Sequence, residues 1–322
     1  MTVSVPITSI HPLAYQADLP TIRTNMPRPP RFSASRPRPP SGEPRQLGHA
    51  KPAGHTGNEA HQHDLAEGPA LRMVADARIV AGTQVLEVGP GLGALTTGLL
   101  AVGARVVAVE RDPGRVAILQ KRFAAQVSTG QLTLLSGDAL SLATPMLHPW
   151  RVLANPPFSL TAPLVRRWLL DSHPAPIALD LVLQREAAIK LTGGEGVQTR
   201  SSVISHLCGT PQVVRHLPRD VVTPASRVDL AIWSHRRADD APGADELVTI
   251  DRLLDVAFAG PHTMSEALRG LATGVQLRRQ AAEHGWKANE HPRSVPPAAW
   301  RALARLLVTC GRLGPPTRRS RR

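Results

Sequence analysis

Hydrophobic and polar positions divide the chain near residue 60. Residues 1–60 show no apolar periodicity and contain 11 prolines, seven lysines or arginines and three acidic residues. A segment of this composition buries too little apolar surface to offset the entropy of ordering, so we expect a disordered basic arm. Apolar periodicity begins after residue 61, and its first pattern predicts a helix within residues 65–79.

Short apolar runs then alternate with helical patterns as far as residue 191. Each run has the length of a buried strand, and the first is closed directly by glycine. This alternation is typical of an α/β fold with a mostly parallel, doubly wound sheet. The predicted strands are 84–88, 105–110, 132–135, 152–154 and 179–183, and the predicted helices are 94–102, 114–126, 161–170 and 185–191.

Two more strand patterns, at residues 211–216 and 228–234, predict an antiparallel edge of the same sheet. A polar stretch with proline and glycine follows, and the apolar positions beyond it repeat at helical spacing. We therefore predict an α/β domain over residues 61–238, a small all-helical domain over 246–310 and a basic tail over 311–322.

The chain is strongly basic, with 38 lysines plus arginines against 25 acidic residues, a net charge of +13 and a pI near 11.3. An anionic partner, either nucleic acid or a membrane surface, is the simplest explanation. No apolar run reaches the length of a membrane span and no secretory signal is visible. We therefore expect a cytoplasmic protein that does not cross a membrane.

Patterns for metal binding are weak. The two cysteines are too few for an all-cysteine zinc site or a disulfide framework. His61 and His63 form a His-x-His pair near His49 and His55, but such residues are more often histidines of an unstructured arm. We predict no metal site.

A glycine-rich segment, residues 87–93, joins the first predicted strand to its helix. Glycines there let the backbone turn tightly and approach a ligand closely. The spacing Gly89, Gly91, Gly93 differs from the Gly-x-Gly-x-x-Gly pattern of dinucleotide sites. The acidic Glu87 would repel phosphate but suits the cationic amino-acid end of S-adenosylmethionine. An ordinary strand-to-helix turn is the alternative.

Two further acidic residues follow the next strands. Glu110 ends the second strand, 21 positions after Gly89, where a carboxylate can bind both ribose hydroxyls of an adenosyl cofactor; the alternative is a helix-flanking carboxylate. Asp138 follows the third strand and could accept a hydrogen bond from the adenine amino group, or serve as an N-cap or turn residue. Open α/β sheets bind ligands at the carboxyl ends of their strands, which is where these acids lie.

The segment Asn155-Pro156-Pro157-Phe158 follows the fourth strand and indicates the chemistry. The exocyclic amine of adenine is a poor nucleophile because its lone pair is delocalised into the ring. The Asn155 side-chain carbonyl and the Pro156 backbone carbonyl can accept its two protons and direct the lone pair toward a methyl sulfonium. Phe158 can stack on a base that has left its helix. A proline-rich turn with a core phenylalanine is the alternative.

The order of these motifs resembles the rRNA adenine N6-methyltransferases, the family of the erythromycin-resistance (Erm) enzymes and the dimethyladenosine transferases of small-subunit rRNA. The likeness covers roughly residues 60–310 and implies a Rossmann-like methyltransferase sheet followed by the helical C-terminal domain, which would bind RNA. Pro156 stands where the family usually has Ile or Leu, and Leu230 where it usually has Ser. The matching stretches are 85–91, 137–139, 155–158, 183–188 and 222–231.

The resemblance implies a role for each matching position. Glu87, Gly89 and Gly91 would line the methionine part of S-adenosylmethionine, Glu110 the ribose and Asp138 the adenine. The target base would contact Asn155 and Phe158, with Asn155 also near the cofactor. The family's Gln-Asn-Phe-Leu motif has a counterpart in residues 62–65, where Gln62 and Leu65 match and would help to close the cofactor site.

The resulting hypothesis is methylation of adenine N6 in 23S rRNA, conferring resistance to macrolide, lincosamide and streptogramin antibiotics. The 23S target is favoured because basic arms flank the domain, as in the Erm enzymes of high-GC producers. The alternatives are a methyltransferase for another rRNA base or for small-subunit rRNA, and a non-catalytic RNA-binding relative. A nicotinamide oxidoreductase is disfavoured by Gly93, and a monomer is the default expectation.

Removing residues 1–58 should flatten the salt dependence of RNA binding, because the arm's lysines and arginines release counterions from the phosphate backbone. The slope of log affinity against log salt concentration, measured for the full and shortened chains, tests this expectation. An unaltered slope would show that the arm does not contact RNA.

Overall fold

The computed structural model describes residues 63–143, 146–194, 197–260 and 262–314. The predicted arm over residues 1–60, Gln62 and the end of the predicted basic tail lie outside these residues. Within the described part of the chain, no helix is long and apolar enough to cross a membrane.

A seven-stranded sheet with the order β4-β3-β2-β5-β6-β9-β7 forms the centre of the fold. The first five strands in this order, from β4 to β6, are parallel, whereas β9 is antiparallel to both β6 and β7. The predicted sheet and its antiparallel edge are confirmed. A separate two-stranded sheet pairs β1 with β8. The strands are β1 Asp64–Leu65, β2 Gln84–Val88, β3 Arg105–Glu110, β4 Leu132–Ser136, β5 Trp150–Ala154, β6 Ala178–Gln184, β7 Gly209–Leu217, β8 Val222–Thr223 and β9 Leu230–Arg237.

Helices cover both faces of this sheet. Successive strand residues point to opposite faces, so Val85 joins one hydrophobic core with α1, α2 and α3, and Leu86 joins the other with the later helices. Burial on both faces explains why the strands read as nearly continuous apolar runs. The helices are α1 Glu67–Asp76, α2 Ala94–Ala101, α3 Pro113–Arg122, α4 Ala124–Ser128, α5 Thr161–Arg166, α6 Arg185–Thr192, α7 Arg200–Cys208, α8 Ala244–Ala257, α9 Met264–Ala267, α10 Gly274–His284 and α11 Pro297–Thr309.

Three helical segments differ from the sequence predictions. The helix predicted over 114–126 is divided at Phe123 into α3 and α4, and the one predicted over 161–170 continues beyond α5 as a wider π turn over Arg167–Asp171. Helix α7 was not predicted, because its buried residues lie on several sides and leave no clear apolar stripe. A reciprocal capping box between Thr199 and Ser202 begins this helix.

The helices of the C-terminal region share a core with the sheet. Buried residues of α8, α10 and α11 belong to the same hydrophobic cluster as Leu86, Val152 and Trp233 of the strands. The expectation of helices without strands beyond residue 245 is met in the described residues. The division into two domains at residues 238–246 stays a prediction.

Asp180 joins the parallel and antiparallel parts of the sheet. This carboxylate lies on β6 and is 3% exposed. It accepts a hydrogen bond from Arg151 of β5 at 3.1 Å and from Arg236 of β9 at 2.8 Å. The pair with Arg151 is well shielded from water, so each charge is stabilised by its partner and not by solvent.

Replacing Asp180 by alanine should lower the free energy of unfolding by about 3 kcal/mol, because Arg151 would be left buried without its carboxylate. Denaturant unfolding measures the change. Asp229→Ala is the matched control, since its ion pair with Arg219 is half exposed and such pairs contribute little. Equal losses of unfolding free energy in the two variants would contradict this role of Asp180.

Candidate functional site

Backbone hydrogen bonds tie together the carboxyl ends of the central strands. The amide of Gly89, after β2, donates to the carbonyl of Val109 in β3 at 3.0 Å. The amide of Gly137, after β4, donates to the carbonyl of Glu110 at 2.9 Å. The strand ends that carry Glu87 and Glu110 and the loop that carries Asp138 therefore lie side by side, at the edge where open α/β sheets bind ligands.

The glycine-rich loop fits closely against neighbouring groups. Gly89 and Gly91 have φ angles of 68° and 58°, in the left-handed region that favours glycine. A Cβ atom on Gly91 would lie 2.1 Å from Oδ1 of Asp64. A side chain at position 91 is thus excluded by backbone conformation and by contact, and the loop presents bare backbone.

Glu87 is a buried carboxyl group at the base of this loop. The hydroxyl of Thr96 donates a 2.7 Å hydrogen bond to its Oε2 atom, whereas the buried Oε1 atom has no partner among the described residues. Burial raises the pKa of Glu87 to about 8, an effect that the Thr96 bond opposes and the nearby Glu110 reinforces. The group is therefore protonated at pH 7 until a cation approaches it.

Glu110 and Asp138 differ in their surroundings. Oε1 of the buried Glu110 accepts hydrogen bonds from the backbone amides of Arg111 and Asp112, and its buried Oε2 has no partner in the described chain. Asp138 is exposed, and its Oδ1 accepts a hydrogen bond from the amide of Leu140 at 2.9 Å. Asp138 thus forms a turn beside Glu110, which is the alternative role that the sequence allowed.

Asn155 is held in one orientation by the chain before β1. Its Nδ2 donates a 2.7 Å hydrogen bond to the carbonyl of His63, and its Oδ1 is buried without a partner among the described residues. Pro156 is buried, and Pro157 precedes a single helical turn, Phe158–Leu160. Because a carbonyl can only accept, the contact with His63 fixes which end of the Asn155 amide carries the free oxygen.

Residues 63–66 form a short segment, called the strap below, that crosses the edge of the site. Asp64 and Leu65 pair with β8, and the amide of Ala66 donates to Val221. The His63 ring stacks on Phe158 with centroids 5.2 Å apart. Grouping His63 with unstructured histidines was therefore wrong, because this residue adjoins a strand pairing that the sequence did not reveal.

Asp64 fastens the strap to α3. Two hydrogen bonds of 2.6 and 3.1 Å join its carboxylate to the guanidinium of Arg115, and both side chains are about one-fifth exposed. Asp64, Arg115 and Thr96 were not among the predicted residues of the site. Only the position of Asp64 within the 62–65 motif offered a signal.

Two adjoining clefts contain most of the predicted site residues. Both are lined by His63, Asp64, Gly89 and Asn155. Glu110 and Asp138 are placed beside the clefts by the strand-end hydrogen bonds, and Gln62 lies outside the described residues. The first cleft is also lined by Gly91, Pro156, Pro157 and Phe158, and the second by Leu65, Glu87, Pro90, Leu92, Ala94 and Leu95.

These donors and acceptors fit S-adenosylmethionine. Oε2 of Glu110, and Oε1 of Glu87 once that group is ionised, are buried acceptors without a partner among the described residues, and the cofactor offers an ammonium group and two ribose hydroxyls as donors. No group of three or more described residues could hold a metal ion. The sheet, the glycine-rich loop and these carboxyl groups define the class of methyltransferases that use S-adenosylmethionine.

Comparisons with known proteins identify the family. The model of the family described as ribosomal RNA adenine dimethylase matches residues 70–265. A relative from Jannaschia sp. (strain CCS1), named ribosomal RNA small subunit methyltransferase A, is 38% identical over 251 residues, 74% of this chain and 85% of the relative. A relative of the same name from Sphingopyxis alaskensis is 33% identical over 70% of this chain and 84% of its own length. The chain belongs to the ribosomal RNA adenine dimethylase family.

Solved structures share the fold. The 23S rRNA methyltransferase ErmE superposes with a TM-score of 0.63 at 24% identity, covering 76% of this chain and 99% of ErmE. A dimethyladenosine transferase from Plasmodium falciparum superposes with a TM-score of 0.64 at 19% identity, covering 78% and 99%. The predicted Rossmann-like methyltransferase fold is thereby confirmed, and S-adenosylmethionine is the cofactor.

Binding of S-adenosylmethionine should release a proton from Glu87. The carboxyl group is protonated at pH 7 in the free protein, and a neighbouring ammonium group favours its ionised form. Affinity should then rise with pH below about 8, the pKa of Glu87 in the free protein, by up to about tenfold per unit.

Titration calorimetry at pH 7, in buffers of different ionisation enthalpy, counts the protons released. Glu87→Gln should abolish the release, whereas Glu186→Gln, at an exposed glutamate, should retain it. A heat of binding that does not depend on the buffer in the unaltered protein would contradict this role of Glu87.

Proposed function

We propose that this protein transfers the methyl group of S-adenosylmethionine to N6 of adenine in small-subunit rRNA. One observation carries the proposal: the buried Oδ1 of Asn155 has no partner among the described residues and lies in a cleft shared with Phe158 and the glycine-rich loop. A hydrogen-bond acceptor, an aromatic surface and a cofactor loop in one cleft are what methylation of a base amine requires.

In this proposal the carboxyl groups at the sheet edge hold the cofactor. Glu87 binds the ammonium group, Oε2 of Glu110 binds a ribose hydroxyl, and the bare backbone of Gly89 and Gly91 lies along the methionine part. Asp138 receives the adenine amino group. Leu65 supplies an apolar wall, since it is buried at the margin of the second cleft. Bound S-adenosylmethionine supplies an electrophilic methyl group.

Asn155 and Pro156 act on the amine of the target base. Oδ1 of Asn155 and the carbonyl of Pro156 accept its two hydrogens, which directs the nitrogen lone pair toward the methyl group. The bond from Nδ2 of Asn155 to the His63 carbonyl keeps Oδ1 turned toward the cleft. Phe158 holds the base by stacking, the usual way in which proteins bind an unstacked base.

The preference for small-subunit rRNA replaces the expectation of a 23S target. That expectation rested on basic arms, whose charge attracts any RNA and carries no information on sequence. Relatives from Jannaschia and Sphingopyxis, at 38% and 33% identity, are named for the small subunit. ErmE, named for 23S rRNA, is only 24% identical to this chain, so its likeness bears on the fold alone.

Incubation with isotopically labelled S-adenosylmethionine tests the substrate. Small and large ribosomal subunits and their naked rRNAs serve as parallel substrates, and nucleoside mass spectrometry identifies the product. Labelled N6-methylated adenosine in small-subunit rRNA supports the proposal. Label confined to 23S rRNA would restore the resistance hypothesis, and no label in any RNA would indicate a non-catalytic relative.

Asn155→Ala should reduce methyl transfer by at least about 100-fold, because the amine loses a preorganised acceptor. Affinity for S-adenosylmethionine should change by less than about threefold, because the side chain acts mainly on the base. Rates come from label incorporation and affinities from calorimetry. Asn289→Ala, at an exposed asparagine, is the control and should leave both unchanged. A rate close to that of the control would refute the role of Asn155.

A further inference from the structure

We propose that the His63 side chain occupies the base-stacking surface of Phe158 in the RNA-free protein and is displaced when the target base arrives. His63 would thereby set how readily the site admits a base. The inference rests on the proposed function, because it takes Phe158 as the surface on which the target adenine stacks.

The stacking geometry is the first support. The two ring planes are inclined by 26°, and their centroids lie 5.2 Å apart, within the range of stacked aromatic pairs. A base stacked on the same side of Phe158 would occupy the space that the imidazole fills. Phe158 also packs against the hydrophobic core, so part of its remaining surface is already covered.

A hydrogen bond holds the imidazole in this place. Its Nδ1 atom lies 2.7 Å from the carbonyl oxygen of Pro224, which follows β8. A carbonyl oxygen only accepts, so Nδ1 carries a proton and donates it. The ring is therefore positioned by its hydrogen bond to Pro224 and by its stack on Phe158.

The backbone of His63 has a different function from its ring. Its carbonyl orients Asn155, and the residues after it are fixed by β8 and by the Asp64 to Arg115 ion pair. Only the ring can leave without disturbing these contacts, by rotation about the side-chain bonds. The strap can thus keep Asn155 oriented while the imidazole rotates away from Phe158 and a base stacks there.

Kinetics with His63→Ala distinguish a side chain that the base displaces from one that contacts the bound base. The imidazole competes with the base for the surface of Phe158. Its removal should therefore lower KM for the rRNA substrate by about threefold to tenfold at saturating S-adenosylmethionine. His216→Ala, at an exposed histidine, is the control. In a Phe158→Leu background the effect on KM should disappear. A rise in KM would overturn the proposal by showing that His63 contacts the bound base, and so would an unchanged KM.

NMR spectroscopy of the full chain tests the displacement without requiring catalysis. The His63 ring protons, assigned by their loss in His63→Ala, should be shifted upfield by Phe158. Adding hexa-adenylate in the presence of S-adenosylhomocysteine should remove this shift, whereas an abasic oligonucleotide of the same length should not.

A shift that persists with hexa-adenylate would overturn the inference. Absence of methylation on every rRNA would count against the proposed function alone, because the displacement is still read from the spectra.

Discussion

The site depends on buried polar atoms that have no hydrogen-bond partner in the part of the chain that the structure describes. One oxygen each of Glu87, Glu110 and Asn155 is removed from water without a hydrogen bond in the described residues. Burial of such a group costs on the order of 1–3 kcal/mol, so these oxygens destabilise the ligand-free protein. The same oxygens gain most when donors reach them, and Glu87 releases its proton as it does so. The atoms that are costly to bury are therefore those available to a ligand.

The two hydrophobic cores on either side of the sheet compensate for this cost. Strands β2, β3 and β5 are covered on both faces, so the loops at their carboxyl ends start from rigid supports. Hydrogen bonds from Gly89 and Gly137 join adjacent strand ends directly. A site built on supported strand ends holds its geometry better than one built on free loops.

Much of the fold and part of the site follow from local sequence patterns. The strand over 105–110 and the glycine-rich loop were predicted because their signals lie within a few residues. Helix α7 and the strap were not, since α7 is buried on several sides and the strap depends on pairing with a distant strand. His63 lies within the 62–65 motif but does not match the family residue there, so its contact with Phe158 could only be found in three dimensions. The choice between ribosomal subunits has no local signal either.

The pairing of the strap with β8 also bears on how the protein folds. The hydrogen bond between His63 and Pro224 joins positions 161 residues apart, and a contact this distant is entropically costly until the intervening chain is compact. The central sheet, by contrast, is assembled largely from neighbouring βα units. We therefore expect the strap, which orients Asn155, to form after the central sheet, so that the site is completed late in folding.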